Sequence, residues 1–165
     1  MQIRQAILGD ASMVADVLAC AAAELTKRGN SLWTSTEVSE SVVANHVRQG
    51  MYYVGFDGDG VIGVFRFQLN DHTFWPEIAE GSSAFLYKMA VHPSRQGHEA
   101  AQQLLGFASD LARRHSRRYL RLDCVSGRPK LRSVYERFGF RHHSEKVLDG
   151  RVFDRFELEI ASPTS

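Results

Sequence analysis

The run Met89-Ala90-Val91-His92-Pro93-Ser94-Arg95-Gln96-Gly97-His98-Glu99-Ala100-Ala101 holds the densest chemical information in this chain. Its apolar head reads as a strand stopped by Pro93. A small-residue loop follows and opens a helix with Ala101, Leu104, Leu105, Ala108, Leu111 and Ala112 on one apolar stripe. Such a loop exposes backbone N–H groups at the positive end of a helix, where a phosphate binds. Glu99 is the discordant residue. A carboxylate about 4 Å from a phosphate charge costs roughly 1 kcal/mol in water and about 4 kcal/mol at an effective dielectric of 20. On the first helical turn it can also point outward and stabilise the helix start by some tenths of a kcal/mol. The outward orientation is expected, with anion binding weakened but retained.

A second group of residues could move protons. Tyr135 lies in Val134-Tyr135-Glu136-Arg137-Phe138-Gly139-Phe140, where a phenol could hold a proton at neutral pH or pack in an aromatic core. Glu77 and Asp123 are carboxylates that could accept a proton or serve as solvated or hydrogen-bonding groups. Trp33 and Trp75 fall in irregular segments, where an indole contacts a ligand or plugs a core. The seven histidines and two cysteines show no zinc-type spacing, and His142-His143 on a strand must face opposite ways. No metal is expected.

The elements that must position these groups follow from periodicity. Ile3–Ala6 reads as a strand. Asp10 is a plausible N-cap for a helix carrying Val14, Val17, Leu18, Ala21 and Leu25. Thr34 and Glu37 have capping-box form ahead of Val38, Val42, Val43 and Val47, which predicts a second helix closing near Gly50. Tyr52–Phe56 and Val61–Leu69 flank the hairpin signal Asp57-Gly58-Asp59-Gly60. Asn70–Ser83 is a long polar stretch of the kind that carries function. Ala84–Val91 is a strand, Glu99–His115 the clearest helix, and Tyr119–Val125 another strand. Pro129 begins a short helix that ends at Gly139. His142–Val147 and Val152–Ile160 pair across Asp149-Gly150. The order is β-α-α-β-β-β-α-β-α-β-β.

Composition narrows the classes. With 165 residues, 44% hydrophobic and 24% charged, the chain fits one domain over residues 1–160 with a frayed tail at 161–165. No run approaches a membrane span, and the N-terminus lacks a signal peptide's apolar centre. Cys20 and Cys124 read as reduced thiols of a cytoplasmic protein. The net charge of +1 hides an asymmetry. Leu111–Arg141 holds ten Lys/Arg against Asp123 and Glu136, whereas Asp57–Glu80 holds five acids against Arg66. Both can be solvated faces. Read functionally, they suggest an anionic and a cationic ligand. No nucleic-acid-binding module is recognisable.

Met89–Pro93, the loop Gln96–Ala101 and its helix resemble the acetyl-CoA motif of the GNAT (Gcn5-related) N-acetyltransferases. Val134–Phe140 resembles that superfamily's second signature. Arg121-Leu122-Asp123-Cys124 and Phe74-Trp75-Pro76-Glu77 are similar to features of a bacterial small-molecule branch. The resemblance covers essentially residues 2–160. It implies an α/β (α+β) fold: a mixed, mostly antiparallel sheet of six to seven strands with about four helices on both faces. It implies acetyl-CoA as co-substrate, held by Met89, Ala90, Val91, Gln96, Gly97, His98, Glu99, Ala100 and Ala101, and transfer to a small amine, cationic if the acidic stretch is a guide. Tyr135 would protonate the departing thiolate. Glu77, Asp123 or a water chain could serve as base, and Trp33, Trp75 and Tyr87 would flank the acceptor. Homodimers are common in the family.

Three positions depart from the pattern. The loop has Glu99 where the family has glycine. Arg128 replaces an asparagine seven residues before the tyrosine, and could pair with a CoA phosphate. Tyr87 stands where a histidine is frequent. These departures support an alternative expectation, a degenerate member that binds CoA without efficient turnover.

Overall fold

The hairpin signals fold as their sequence dictates. Asp57-Gly58-Asp59-Gly60 turns with Gly58 at φ 60°, and Asp149-Gly150 turns with both residues in the left-handed region, at φ 49° and 74°. Such turns match the twist of the strands that they join. The computed structural model describes residues 1–162. The last three residues of the expected frayed end lie outside them.

The elements are β1 (Gln2–Gln5), α1 (Ala11–Lys27), α2 (Glu40–Arg48), β2 (Tyr52–Asp57), β3 (Gly60–Gln68), β4 (Ser83–Val91), α3 (His98–Arg114), β5 (Tyr119–Val125), α4 (Pro129–Phe138), β6 (Arg141–Leu148) and β7 (Arg151–Glu159). Short 3₁₀ turns occupy Leu8–Asp10 and Pro93–Arg95. The strands form one seven-stranded sheet in the order β1-β2-β3-β4-β5-β7-β6. The pairings β1–β2, β2–β3, β5–β7 and β6–β7 are antiparallel, and β4–β5 is parallel. The mostly antiparallel sheet with four helices is the expected fold class.

Two local expectations need correction. The capping box forms, with the Thr34 N–H donating to Glu37 Oε2 (2.7 Å) and the Glu37 N–H to Thr34 Oγ1 (3.2 Å). It closes one turn, not the second helix. Ser39 is extended (φ −64°, ψ 150°) and caps α2, which begins at Glu40. Burial of Val38 in the core anchors this break. Asp10 does precede α1, but its side chain makes no helix cap. Its carboxylate takes the Ile7 N–H (2.8 Å) and pairs with Arg4 (2.7 Å). These partners hold its pKa below the ordinary value, the Arg4 hydrogen bond foremost.

The chain packs as two compact units. Met1–Arg66 with Lys88–Leu104 make the first, and Phe67–Tyr87 with the chain from Leu105 onward make the second. The first unit's core gathers Val14, Val17 and Leu18 of α1, Val43 and Val47 of α2, and Tyr52, Val54 and Val64 of the sheet with Ala90. Gly63 of β3 is required there. A Cβ at this position would stand 2.7 Å from the Ala90 carbonyl and 2.8 Å from Leu104 Cδ1. In the second unit Leu105, Ala108, Leu111, Ala112, Leu120, Leu122 and Phe156 are buried. The expected apolar stripe of α3 is buried from Ala101 to Ala112.

Candidate active site

β4 starts as an ordinary parallel neighbour of β5. Its register runs from Ser83↔Tyr119 to Leu86↔Leu122. Two residues beyond Leu86, Lys88 has φ 49°, a left-handed conformation inside a strand. Lysine lacks the freedom of glycine there, so the position costs on the order of 1–2 kcal/mol. The irregularity lies directly before Met89, Ala90 and Val91. Past Val91 the His92 N–H donates to the Ile62 carbonyl (2.7 Å), and the His92 ring accepts the Ser94 N–H (3.2 Å). Arg95 pairs with Asp57 at 3.6 Å. These contacts fix the chain's path into the loop.

The loop is open. Gln96, Gly97, His98 and Glu99 are exposed, and Ala100 and Ala101 turn into the core. α3 begins at His98, one residue before the expected start. No atom lies within 4 Å of where a Cβ on Gly97 would be. A phosphate can therefore approach this backbone at the positive end of a seventeen-residue helix. Glu99 is exposed, and its Oε1 accepts from Gln103 Nε2 at 3.2 Å. The carboxylate is held by a side chain of its own helix.

Charged groups of the same unit cluster about Lys88. Its ammonium stands 3.2 Å from Glu37 and 5.4 Å from the centre of the Trp33 ring. Arg66 places a guanidinium nitrogen 3.4 Å from His46 Nδ1. Burial, then the charges of Arg66 and Lys88, hold the His46 pKa below its ordinary value. Burial pushes the Tyr52 phenol up to about 12, against the pull of Arg66.

In the second unit, Tyr135 is buried on α4 between Phe140 and Phe156, at ring distances of 6.0 and 5.9 Å. Burial foremost, then Cys124 and Asp123, raise its pKa well above an ordinary phenol's. The hydroxyl keeps its proton at any working pH. Asp123 is half-buried on β5. Arg128 caps α4, where its side chain makes no cap hydrogen bond and Pro129 takes the first turn.

The stretch Asn70–Ser82 is tied down from within. Asp71 is buried. Its Oδ1 accepts the N–H groups of Thr73 (2.9 Å) and Phe74 (2.8 Å), and its Oδ2 accepts the Tyr87 hydroxyl. Trp75 is 1% exposed, with Arg121 at 4.9 Å and Arg155 at 4.5 Å from its ring centre. Arg121 also holds Ser83 and Glu157, and Arg155 holds Ser144, the Phe74 carbonyl and Glu77. Burial disfavours charge on Glu77, but a backbone N–H and Arg155 (2.6 Å) outweigh it and leave the pKa below the usual carboxylate range. Leu69, Asn70, Asp71, Trp75, Gly81 and Phe85 are among the residues that line a shallow pocket of about 250 Å³ that includes open solvent.

The charge asymmetry resolves largely into internal pairs. Among the five acids of the middle stretch, Asp57, Asp71 and Glu77 have the partners just named. In the basic stretch Arg113, Arg118, Arg121, Arg132 and Arg141 each pair with a carboxylate. Cys20 and Cys124 are free thiols. Among the described residues no group of three or more His, Cys, Asp or Glu is arranged for a metal, and no helix is long and apolar enough to cross a membrane.

Sequence reasoning missed Lys88, Arg66, His46 and Asp71. Lys88 had no local signal, since its partner Glu37 lies 51 residues away. Asp71 with Thr73-Phe74 was legible as a side-chain-capped turn.

The profile of the acetyltransferase (GNAT) family matches residues 21–140. The chain is 24% identical to the uncharacterised N-acetyltransferase YesJ of Bacillus subtilis over 164 residues, covering 95% of this chain and 89% of that relative. A GNAT-family acetyltransferase structure from Streptococcus agalactiae superposes with a TM-score of 0.77 at 16% identity, covering 98% of this chain and 95% of that one. The Salmonella typhimurium acetyltransferase yncA, solved with acetyl-CoA, gives 0.68 at 17% identity and covers 100% and 96%.

Proposed function

Since the chain belongs to the GNAT acetyltransferase family, we propose that it transfers an acetyl group from acetyl-CoA directly to the amine of a small molecule. The observation that carries this reading is the open Gln96–Glu99 backbone at the start of α3, directly after a strand with a left-handed residue at Lys88. When bound, acetyl-CoA supplies an acetyl thioester.

This chain's residues account for the remaining requirements. The loop Gln96–Ala101 binds the pyrophosphate through its N–H groups and the helix dipole. Arg128 is a further cation for a CoA phosphate. A backbone N–H among Met89, Ala90 and Val91 polarises the thioester carbonyl, as an oxyanion hole does. Tyr135 keeps its hydroxyl proton until a thiolate needs it. The acceptor must lose a proton, for which Asp123 and Glu77, the latter paired with Arg155, are the two carboxylate candidates. Trp33 and Tyr87 are the aromatic residues proposed to flank the acceptor. Trp75, expected beside them, is buried and is assigned no acceptor contact. The enzyme is proposed to work in the cytoplasm, as a homodimer in keeping with its family, on small molecules and not on nucleic acid.

Two measurements test the reading. Acetyl-CoA at a hundred times its dissociation constant should stabilise the fold by about 2.7 kcal/mol. Thiol release should then appear with members of an amine panel. Stabilisation without thiol release on any amine would make this a CoA-binding member without turnover. No stabilisation would overturn the reading.

A further inference from the structure

Four segments of the first unit converge on the irregularity in β4. The turn at 34–37 brings Glu37, α2 brings His46, β3 brings Arg66, and β4 brings Lys88. The Lys88 side chain is 14% exposed, so its charge is largely withdrawn from water. Withdrawal of this kind is costly unless a partner answers it. Glu37 does so, but it also accepts the Thr34 N–H through its other oxygen. His46 lies in the field of both Arg66 and Lys88 and stays neutral, so its ring can still offer an N–H. The Trp33 ring covers Lys88 from the side. A strained, half-buried lysine beside an indole, and an arginine at 3.4 Å from a neutral imidazole, thus gather two cations in this part of the unit. Lys88 adjoins Met89–Val91 in sequence and in the same compact unit.

The acids that could have made a cation site are engaged elsewhere. Asp57 holds Arg95, Glu77 holds Arg155, and Asp71 holds Tyr87 and two backbone N–H groups. Three of the five acids of the middle stretch are thus engaged with other partners.

We propose that Arg66, Lys88 and His46 form a carboxylate subsite, so that the acceptor is an amine bearing a carboxylate, as an amino acid does. The planar guanidinium of Arg66 matches a carboxylate's two oxygens. Lys88 adds a point charge, His46 adds a neutral donor, and Trp33 packs on the acceptor's apolar part. This inference rests on the acetyltransferase reading above and names its substrate class.

The test compares amines that differ only in the carboxylate: phenylalanine with phenethylamine, leucine with isoamylamine, and arginine with agmatine. The carboxylated member of each pair should be acetylated with a kcat/KM at least about tenfold higher. Arg66→Gln should bring that ratio close to one, mainly through KM, and Arg66→Lys should restore part of it. Stabilisation by acetyl-CoA, followed on the same samples, separates the two levels of the argument. If acetyl-CoA stabilises the protein but the pair members react equally, or agmatine and the other decarboxylated amines react better, the subsite is overturned and the acetyltransferase reading stands. If no pair is acetylated, calorimetry on the CoA-loaded protein decides. Tighter binding of the carboxylated member supports the subsite, and equal or absent binding overturns it. If acetyl-CoA gives no stabilisation, both fall.

Discussion

Trp33 and Trp75 each have a cation over the indole ring, in different units and under different conditions. Trp75 is 1% exposed and lies between two arginines, whose remaining donors go to Ser83, Glu157, Ser144, Glu77 and the Phe74 carbonyl. Its own Nε1 has no hydrogen-bond partner among the described residues, so the ring faces are what hold it. Trp33 is half-buried and meets Lys88, whose partner Glu37 stands on an exposed turn. The same two chemical types thus meet in a closed core in one place and at a half-buried position in the other. What differs is how far the ring is withdrawn from water. Residue type alone is a poor guide to which tryptophan meets a ligand.

That contrast can be broken most directly at the closed core. Trp75→Ala should lower stability by about 3–5 kcal/mol, since a large ring leaves a closed core. Trp33→Ala should change stability by less than about 1 kcal/mol and act instead on the acceptor KM. Urea denaturation of both variants checks this, and equal losses would erase the distinction. Tyr135→Phe tests whether the closed unit also contributes to the chemistry. Its kcat should fall by about 10²–10⁴-fold, with stabilisation by acetyl-CoA unchanged. A full-rate variant would leave Tyr135 as a packing residue of the aromatic trio with Phe140 and Phe156.

Glu99→Gln gives a smaller effect on the open side. With the carboxylate already held by Gln103, removing its charge should tighten acetyl-CoA by less than about tenfold. A gain of several hundredfold in a calorimetric titration would mean that the carboxylate faces the phosphates. The smallest effect concerns pH. His46 and His143 both have depressed pKa values, burial being the leading cause for each. The unfolded chain therefore binds protons more readily than the folded one. Their contribution is complete above pH ~6.5, the unfolded histidine value, and is lost as pH falls through the depressed values. Denaturation midpoints should decline over that window. His46→Gln should flatten the decline in the open unit and His143→Gln in the closed one. The carboxylates of Glu37 and Glu77 titrate in a separate window below pH ~4.5.

Much of the fold was legible from local patterns because its signals are local. The order of elements, both Asp-Gly hairpins, the stripe of α3 and the Pro129–Gly139 limits of α4 each depend on residues a few positions apart. Of the candidate site, the exposed loop and the helix that follows Gln96 were legible because they too are local. It was not legible where partners are distant. Glu37 and Lys88 are 51 residues apart, and Asp71 and Tyr87 are 16 apart. The Thr34–Glu37 box shows the limit well. Its two hydrogen bonds form as the pattern requires, yet the helix starts later, because burial of Val38 and the extended Ser39 decide the chain's path. The charge asymmetry misled for the same reason. Counting charges along the sequence does not show which are answered by a neighbour in space.

Gly63 has a consequence for anyone recombining this chain with its relatives. A single methyl group at that position would collide with both the strand that carries Met89–Val91 and the helix that starts at the loop. The three segments around Gly63, Ala90 and Leu104 are therefore one inheritance unit. A chimera that takes α3 or β4 from a relative, but keeps a β3 fitted to different neighbours, would alter the spacing of these three segments. Crossover points outside residues 63–104 avoid that penalty.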